Sequence, residues 1–231
     1  MASWAPMPEM PPPNAAKRGS RASSPHCRTG SCTSSTPAER SAVDADSLFS
    51  GPFPELRTDR LLLRELKTTD ADALFRQFSD DGVTAYYDLD TFTDPDQGEQ
   101  LVAVWRQRQE RGFGLRWAIC RPDAPADLLG TCGVNLWIRQ SARAVLGFDL
   151  SRQYWRQGIM SEALGRVLDF GFEQLEINRV EAVVFRDNAA SCGLLEGLGF
   201  TREGLLREYE YLHGRFQDMY MFSLLRADRG A

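Results

Sequence analysis

Apolar residues recur at two spacings along this chain, and the alternation between them divides it into short strands and helices. The run RTDRLLLREL (57–66) has the apolar density and length of a strand. Ala73, Leu74 and Phe78 follow on a helix for which Asp70 offers an N-cap, and a second helix runs through Leu101, Val104 and Trp105. Strands are predicted around 113–121, 128–138 and 144–150, the first two separated by the turn-rich RPDAPAD, and they read as an antiparallel meander. After Gln157-Gly158, the positions Met160, Ala163, Leu164, Val167, Leu168, Gly171 and Leu175 keep the three-and-four spacing of a helix with one buried face. NRVEAVVFR (178–186) is then a strand and 188–197 a short helix, with Gly199 where a left-handed C-terminal cap is wanted. Two last strands, 203–211 and 215–225, flank His213-Gly214, a tight turn because glycine, and less readily histidine, accepts positive φ.

The first fifty residues break this pattern. They hold 7 of the 12 prolines and ten serines, and Val43 is the only Val, Ile or Leu before Leu48. Such a stretch buries too little apolar surface to offset its ordering entropy, so 1–50 is expected to be a disordered extension and 51–231 a single mixed α/β (α+β) domain. With 27 basic against 32 acidic residues the net charge is −5, which argues against a nucleic-acid backbone as partner. No stretch of 18 apolar residues occurs and the first thirty lack a secretory apolar block, so no membrane span is predicted and the expected compartment is the cytoplasm. Cys27, Cys32, Cys120, Cys132 and Cys192 form no C-x-x-C pair and accompany only two histidines, so neither a disulfide framework nor a metal site is expected.

Chemistry concentrates at two strand-to-helix junctions. In FDLSRQYWRQGIMSEAL (148–164), a glycine just before a long helix lets backbone N–H groups converge on an anion where the helix dipole is positive. It is not a Walker loop, which needs G-x-x-x-x-G-K-[ST], and it lacks the glycines of a dinucleotide fingerprint. The second junction reads N-A-A-S-C-G-L-L-E-G-L-G-F (188–200). Together with WRQGIM (155–160) it resembles the cofactor motifs of the GNAT superfamily of acetyl-CoA-dependent N-acetyltransferases, and more narrowly the RimJ/RimL ribosomal-protein alanine acetyltransferase branch. LRTDRLLLR (56–64), GFDL (147–150), NRVEA (178–182) and the tail from Gly199 extend the resemblance, in family order, over about residues 55–226.

The resemblance implies a GNAT fold, a bent, mixed, mostly antiparallel sheet with flanking helices, splayed in the middle where the strand ending at Leu150 parts from the one beginning near Asn178. Acetyl-CoA would lie in that gap, its pantetheine arm on the backbone of Phe148, Leu150 and Ser151. Its pyrophosphate would meet the amides of Arg156, Gln157, Gly158, Ile159, Met160 and Ser161. Arg156 and Met160 stand where smaller residues are usual, and Arg156 either reaches a CoA phosphate or is a solvated loop arginine. Asn188 matches the family asparagine that bonds the pantetheine, a role compatible with N-capping the helix that follows.

Transfer to an amine requires that the amine lose a proton and the departing thiolate be stabilised. The tyrosine often found seven residues after the motif asparagine is here Leu195. The available hydroxyl is Ser191, which in the Rim-type branch is a proposed acid and otherwise only satisfies helix backbone. Glu210 matches the glutamate proposed as general base through water, and Glu208, two residues earlier on the same face of a regular strand, is its rival. Asp80 to Glu99 carries seven acids and no Lys or Arg, which predicts a cationic acceptor. The acceptor is therefore expected to be a primary amine, on a protein N-terminus or a small cationic molecule, with no nucleic-acid or membrane partner, and the enzyme a monomer or homodimer. A CoA-binding regulatory module without turnover, and a nucleotide-binding adaptor using Gly158, are the competing readings.

Overall fold

The computed structural model describes Phe49 and residues 51–230. Apart from Phe49, the expected extension over 1–50 lies outside the described residues. In chain order the elements are β1 (Leu56–Arg57), β2 (Leu62–Glu65), α1 (Ala71–Phe78), α2 (Asp81–Thr84), α3 (Asp96–Glu110), β3 (Leu115–Cys120), β4 (Gly130–Ile138), β5 (Arg143–Leu150), α4 (Ile159–Glu173), β6 (Arg179–Phe185), α5 (Ala189–Gly197), β7 (Thr201–Leu212) and β8 (Arg215–Leu225). All eight strands join one sheet in the order β1-β2-β3-β4-β5-β6-β8-β7. Every pair is antiparallel except β5 with β6, which α4 connects as a crossover.

Helices cover both faces, so β3 is buried throughout and its two alternating sets of side chains enter different clusters. Leu115, Trp117 and Ile119 pack with Ala163, Leu164, Val167 and Leu168 of α4, and Phe170 meets Trp117 edge to face at 5.6 Å. Ala118 and Cys120 point the other way, into the cluster of Leu74, Phe78, Leu101 and Val102 from α1 and α3. The expected three-and-four stripe of α4 is buried from Met160 to Gly171. Gly199 takes φ +87°, and His213 and Gly214 take φ +52° and +77°, a turn with both central residues left-handed.

Two local expectations change. The strand expected over 57–66 is two strands, because Thr58 to Leu61 turn and pair Leu56 with Leu63. Asp70 stands at the N-cap of α1, yet its carboxylate takes both Arg64 guanidinium nitrogens at 2.7 and 2.8 Å and the Lys67 amide at 2.8 Å instead of capping. That ion pair is buried, and a charge removed from water binds its partner in preference to a helix amide. The acidic window is also partly helical, forming α2 and the first turn of α3.

Phe49 packs on Trp137 with ring centroids 6.0 Å apart, and the Arg139 guanidinium lies 5.1 Å from its ring. An N-terminal cut at residue 50 removes that contact and a cut at 48 keeps it. The 49–231 form should therefore exceed the 51–231 form in stability by about 1 kcal/mol, read from paired thermal or urea unfolding curves. Coincident curves would show that the aromatic contact contributes nothing.

Candidate active site

The site begins where β5 and β6 stop pairing. Their parallel register covers only Arg143↔Arg179, Ala144↔Val180 and Val145↔Glu181, and the strands part beyond it. Ser151 N–H donates to the Leu129 carbonyl, so the odd-numbered residues of β5 turn their backbone toward β4 and the even-numbered ones toward the gap. Phe148 and Leu150 thus present backbone to the gap. The Leu150 carbonyl already accepts the Trp155 indole N–H at 2.7 Å, which leaves its amide and both Phe148 groups. Both backbone groups of Ser151 are engaged, the carbonyl by Tyr154 N–H, and Ser151 is not among the residues lining the cleft.

A cleft of about 680 Å³ runs along this edge, lined by Phe148, Asp149, Leu150, the whole stretch Tyr154–Ser161, Asn188–Ser191, and Tyr86 and Tyr87 from the segment after α2. At its mouth Arg156 and Gly158 both take left-handed conformations, φ +58° and +73°. The loop tolerates an arginine there at the cost of backbone strain. The Gln157 carbonyl is held by Arg60 Nη1 at 3.3 Å, and Arg60 is in turn fixed to Glu162 of α4. The first-turn amides of α4 have no carbonyl partner inside the helix and face this loop. Ile159 and Met160 are buried, so their side chains anchor the helix start in the core while their amides remain at the cleft.

On the opposite wall Asn188 caps α5, its Oδ1 accepting the Ser191 amide at 3.1 Å. That use of the oxygen leaves the Asn188 side-chain N–H₂ available to the cleft. Ser191 lines the cleft half-buried. Leu195, one helical turn on, is fully buried in the core and offers no hydroxyl.

Behind the gap lies a buried polar cluster that sequence reasoning missed. Asp149 is 6% exposed and accepts hydrogen bonds from Gln77 Nε2 at 2.5 Å, Thr131 N at 3.1 Å, Thr131 Oγ1 at 2.6 Å, Tyr87 OH at 3.3 Å and Arg116 Nη2. Arg116, 5% exposed, also donates to Thr131 Oγ1, Asn135 Oδ1 and Tyr87 OH and lies over the Trp105 ring. Burial alone would disfavour the guanidinium charge, but the Asp149 carboxylate bonded to it holds it firmly protonated. Burial, with the Asp149 and Asp88 charges, lifts the Tyr87 phenol well above its ordinary value, so it stays neutral. A single charged residue inside the apolar run LRWAIC was the available signal for Arg116.

Glu210 sits on the outer hairpin, exposed on β7 and outside the cleft lining. Desolvation by its surroundings and the negative charge of Asp88 raise its carboxyl above the ordinary range. Glu208 does not share its face as expected. The register jumps from Leu206↔Met219 to Glu210↔Gln217, so Arg207, Glu208 and Tyr209 of β7 stand opposite the single residue Asp218 of β8, and Glu208 takes φ +50° in the bulge. Three acids of the window have local partners: Asp80 caps α2, Asp94 accepts the Asp96 amide, and Asp90 lies 3.5 Å from His213. Cys120 and Cys132 are buried core residues, burial pushing the Cys120 thiol up to about 11 and Cys132 up to about 12. Among the described residues no group of His, Cys, Asp and Glu is placed to hold a metal ion, and no helix is long and apolar enough to cross a membrane.

Likeness to known proteins, and not the parted sheet alone, identifies the chain as an acetyltransferase. The chain belongs to the GNAT acetyltransferase family, whose acetyltransferase (GNAT) domain matches residues 60–201. It is 40% identical over 173 residues to the uncharacterized N-acetyltransferase p20 of Bacillus licheniformis, an alignment spanning 75% of this chain and 97% of that protein. It is 24% identical over 190 residues to the ribosomal protein uS5-alanine N-acetyltransferase of Escherichia coli (strain K12), spanning 77% and 93%. The fold matches that of RimL, the ribosomal L7/L12 alpha-N-protein acetyltransferase in complex with coenzyme A, with a TM-score of 0.68 at 22% identity over 74% of this chain and 98% of that one.

Removing the Asp149 carboxylate would strand a buried guanidinium, so Asp149→Ala should cost about 3–5 kcal/mol in urea unfolding. Asp149→Asn, which keeps the shape and part of the bonding, should cost less. A loss below about 1 kcal/mol for the alanine variant would show that Arg116 finds water.

Proposed function

We propose that this enzyme moves the acetyl group of acetyl-CoA directly onto a primary amine within a ternary complex, without a covalent enzyme intermediate. The observation that carries the reading is the open edge of β5 at Phe148 and Leu150, sharing one cleft with the loop amides of 156–161 and with Asn188. An extended pantetheine chain pairs with a strand edge as another strand would, and a pyrophosphate suits a helix N-terminus preceded by left-handed residues. The unused Asn188 amide is placed to donate to a pantetheine carbonyl. The names of the ribosomal-protein relatives support a protein N-terminal α-amine as acceptor, and the acidic segment beside the cleft supports a small cationic amine equally.

In this reaction an amide C–N bond forms as the thioester C–S bond breaks, and the ammonium nitrogen gives up two protons, one to solvent and one that ends on the departing thiolate. Glu210 is the base, through water: its raised pKa makes it a better proton acceptor than an ordinary surface carboxylate. Ser191 hydrogen-bonds the departing sulfur; its hydroxyl is too weak an acid to do more. Leu195 in place of a stronger acid is what favours the alternative of a CoA-binding module without turnover, which release of free thiol on mixing with any amine would exclude.

Gly158→Pro should abolish CoA binding, because φ +73° is closed to proline and the variant loses an amide. Arg156→Ala should weaken binding by on the order of 1 kcal/mol if the guanidinium touches a phosphate. Undiminished affinity of the proline variant in calorimetry would place the cofactor elsewhere.

Glu210→Gln should lower kcat/KM by roughly 10²-fold with CoA affinity retained, and Ser191→Ala should produce a smaller loss, chiefly in kcat. A base acts as its carboxylate, so the acidic limb of kcat/KM should fall above the ordinary carboxylate range and vanish in the glutamine variant. The defect should shrink at high pH, where the free amine is already deprotonated. A defect constant across pH would reassign Glu210 to acceptor binding.

A further inference from the structure

A second cavity, again of about 680 Å³, opens on the other side of Tyr86, which lines both. Its walls come from Phe185 and Arg186 at the end of β6, and from Glu208, His213 and Phe216 of the last hairpin. Three rings form a connected wall: Tyr86 meets Phe185 edge-on at 5.9 Å, and His213 stacks on Phe185 at 6.3 Å. Tyr86 and Phe216 are 45% and 62% exposed, so their faces are open to a ligand.

The bulge in β7 exists at this cavity. It turns Glu208 out of strand alternation and into the lining, while its amide is held by Asp218 Oδ1 at 2.9 Å. A non-glycine residue at φ +50° is unfavourable by itself, and bulges beside active sites commonly re-aim a side chain. None of the ion pairs among the described residues uses Glu208. Arg186, by contrast, is neutralised by Asp218 at 3.3 Å and Asp187 at 4.0 Å. Among the lining residues the acids Asp187, Glu208 and Asp218 face Arg186 and Arg215, and with Arg186 already paired to two of those acids, Glu208 is the carboxylate left to a ligand.

We propose that this second cavity seats the body of the acceptor and that Glu208 holds a second positive charge on it, away from the reacting nitrogen. This rests on the acetyl-transfer reading and names the acceptor class: a molecule carrying two positive groups, one in the cleft and one between Glu208 and the faces of Tyr86 and Phe216. Carboxylate and aromatic faces together favour a cation, and the continuity at Tyr86 lets the other amine reach the thioester. Tyr86 and Glu208 are then specificity-determining residues rather than part of the proton path.

The test compares 1,6-diaminohexane with n-hexylamine, and short peptides with Lys or Glu after a free N-terminal alanine, on the full chain. Both kcat/KM and calorimetric affinity are measured. The diamine, and the Lys peptide if the acceptor is a protein, should be favoured at least tenfold. Glu208→Gln should reduce that preference to under threefold while leaving n-hexylamine turnover and CoA affinity unchanged. Glu208→Gly, which suits positive φ, should do the same and guards against misfolding. Equal preference in native enzyme and variants, or a preference for the Glu peptide that Arg215→Ala removes, overturns the proposal. If CoA binds and no amine releases thiol, acetyl transfer fails, and the calorimetry still decides: diamine binding lost in both Glu208 variants supports the cavity assignment, and no binding overturns it.

Discussion

A strand edge inside a domain needs hydrogen-bond partners, and beyond Val145 β6 supplies none to β5. The rest of the site is arranged around that unfilled edge. β4 holds β5 rigidly on one side through eight registered pairs, Trp155 takes one carbonyl on the other, and α4 and α5 begin at its margins. The opening is thus a product of topology: one short parallel contact in an otherwise antiparallel sheet.

Behind the open edge, a buried charge fixes β5 to its neighbours on the other side. Asp149 stands between Phe148 and Leu150 and points to the opposite face, where its bonds gather α1, β3, β4 and the Tyr87 segment at one point. Because no buried side-chain polar atom among the described residues is left without a partner, the cluster is closed and rigid. It connects the open edge of β5 to the wall that carries Tyr86 and Tyr87, so both sides of the cleft share one support.

Much of this was legible from residue order. The stripe from Met160 to Gly171, the cap at Asn188 and the left-handed turn at 213–214 follow from spacing and backbone chemistry that a local window contains. The break between β1 and β2 did not, because RTDRLLLREL has no turn residue stronger than Thr58-Asp59, and the pairing that enforces the turn is with itself. Nor did the bulge at Glu208, since regular alternation is the default reading of any strand and the bulge depends on Asp218 across the hairpin. Asp149 was visible only as a letter of GFDL, where the backbone of its neighbours Phe148 and Leu150 was the expected contact; that its side chain pairs with a residue 33 positions earlier is a long-range fact.

Arg156 at φ +58° has a consequence for where free energy is stored. An arginine relaxes toward right-handed backbone when left to itself, so the loop between Trp155 and Gly158 is imposed by its surroundings at about 1 kcal/mol. That amount is drawn from the stability of the folded chain before any ligand arrives. The amides are already aimed, and an anion settling on them has little loop entropy left to remove. A glycine at the same position would relax the folded loop and widen the unfolded ensemble, exchanging preorganisation for ease of folding.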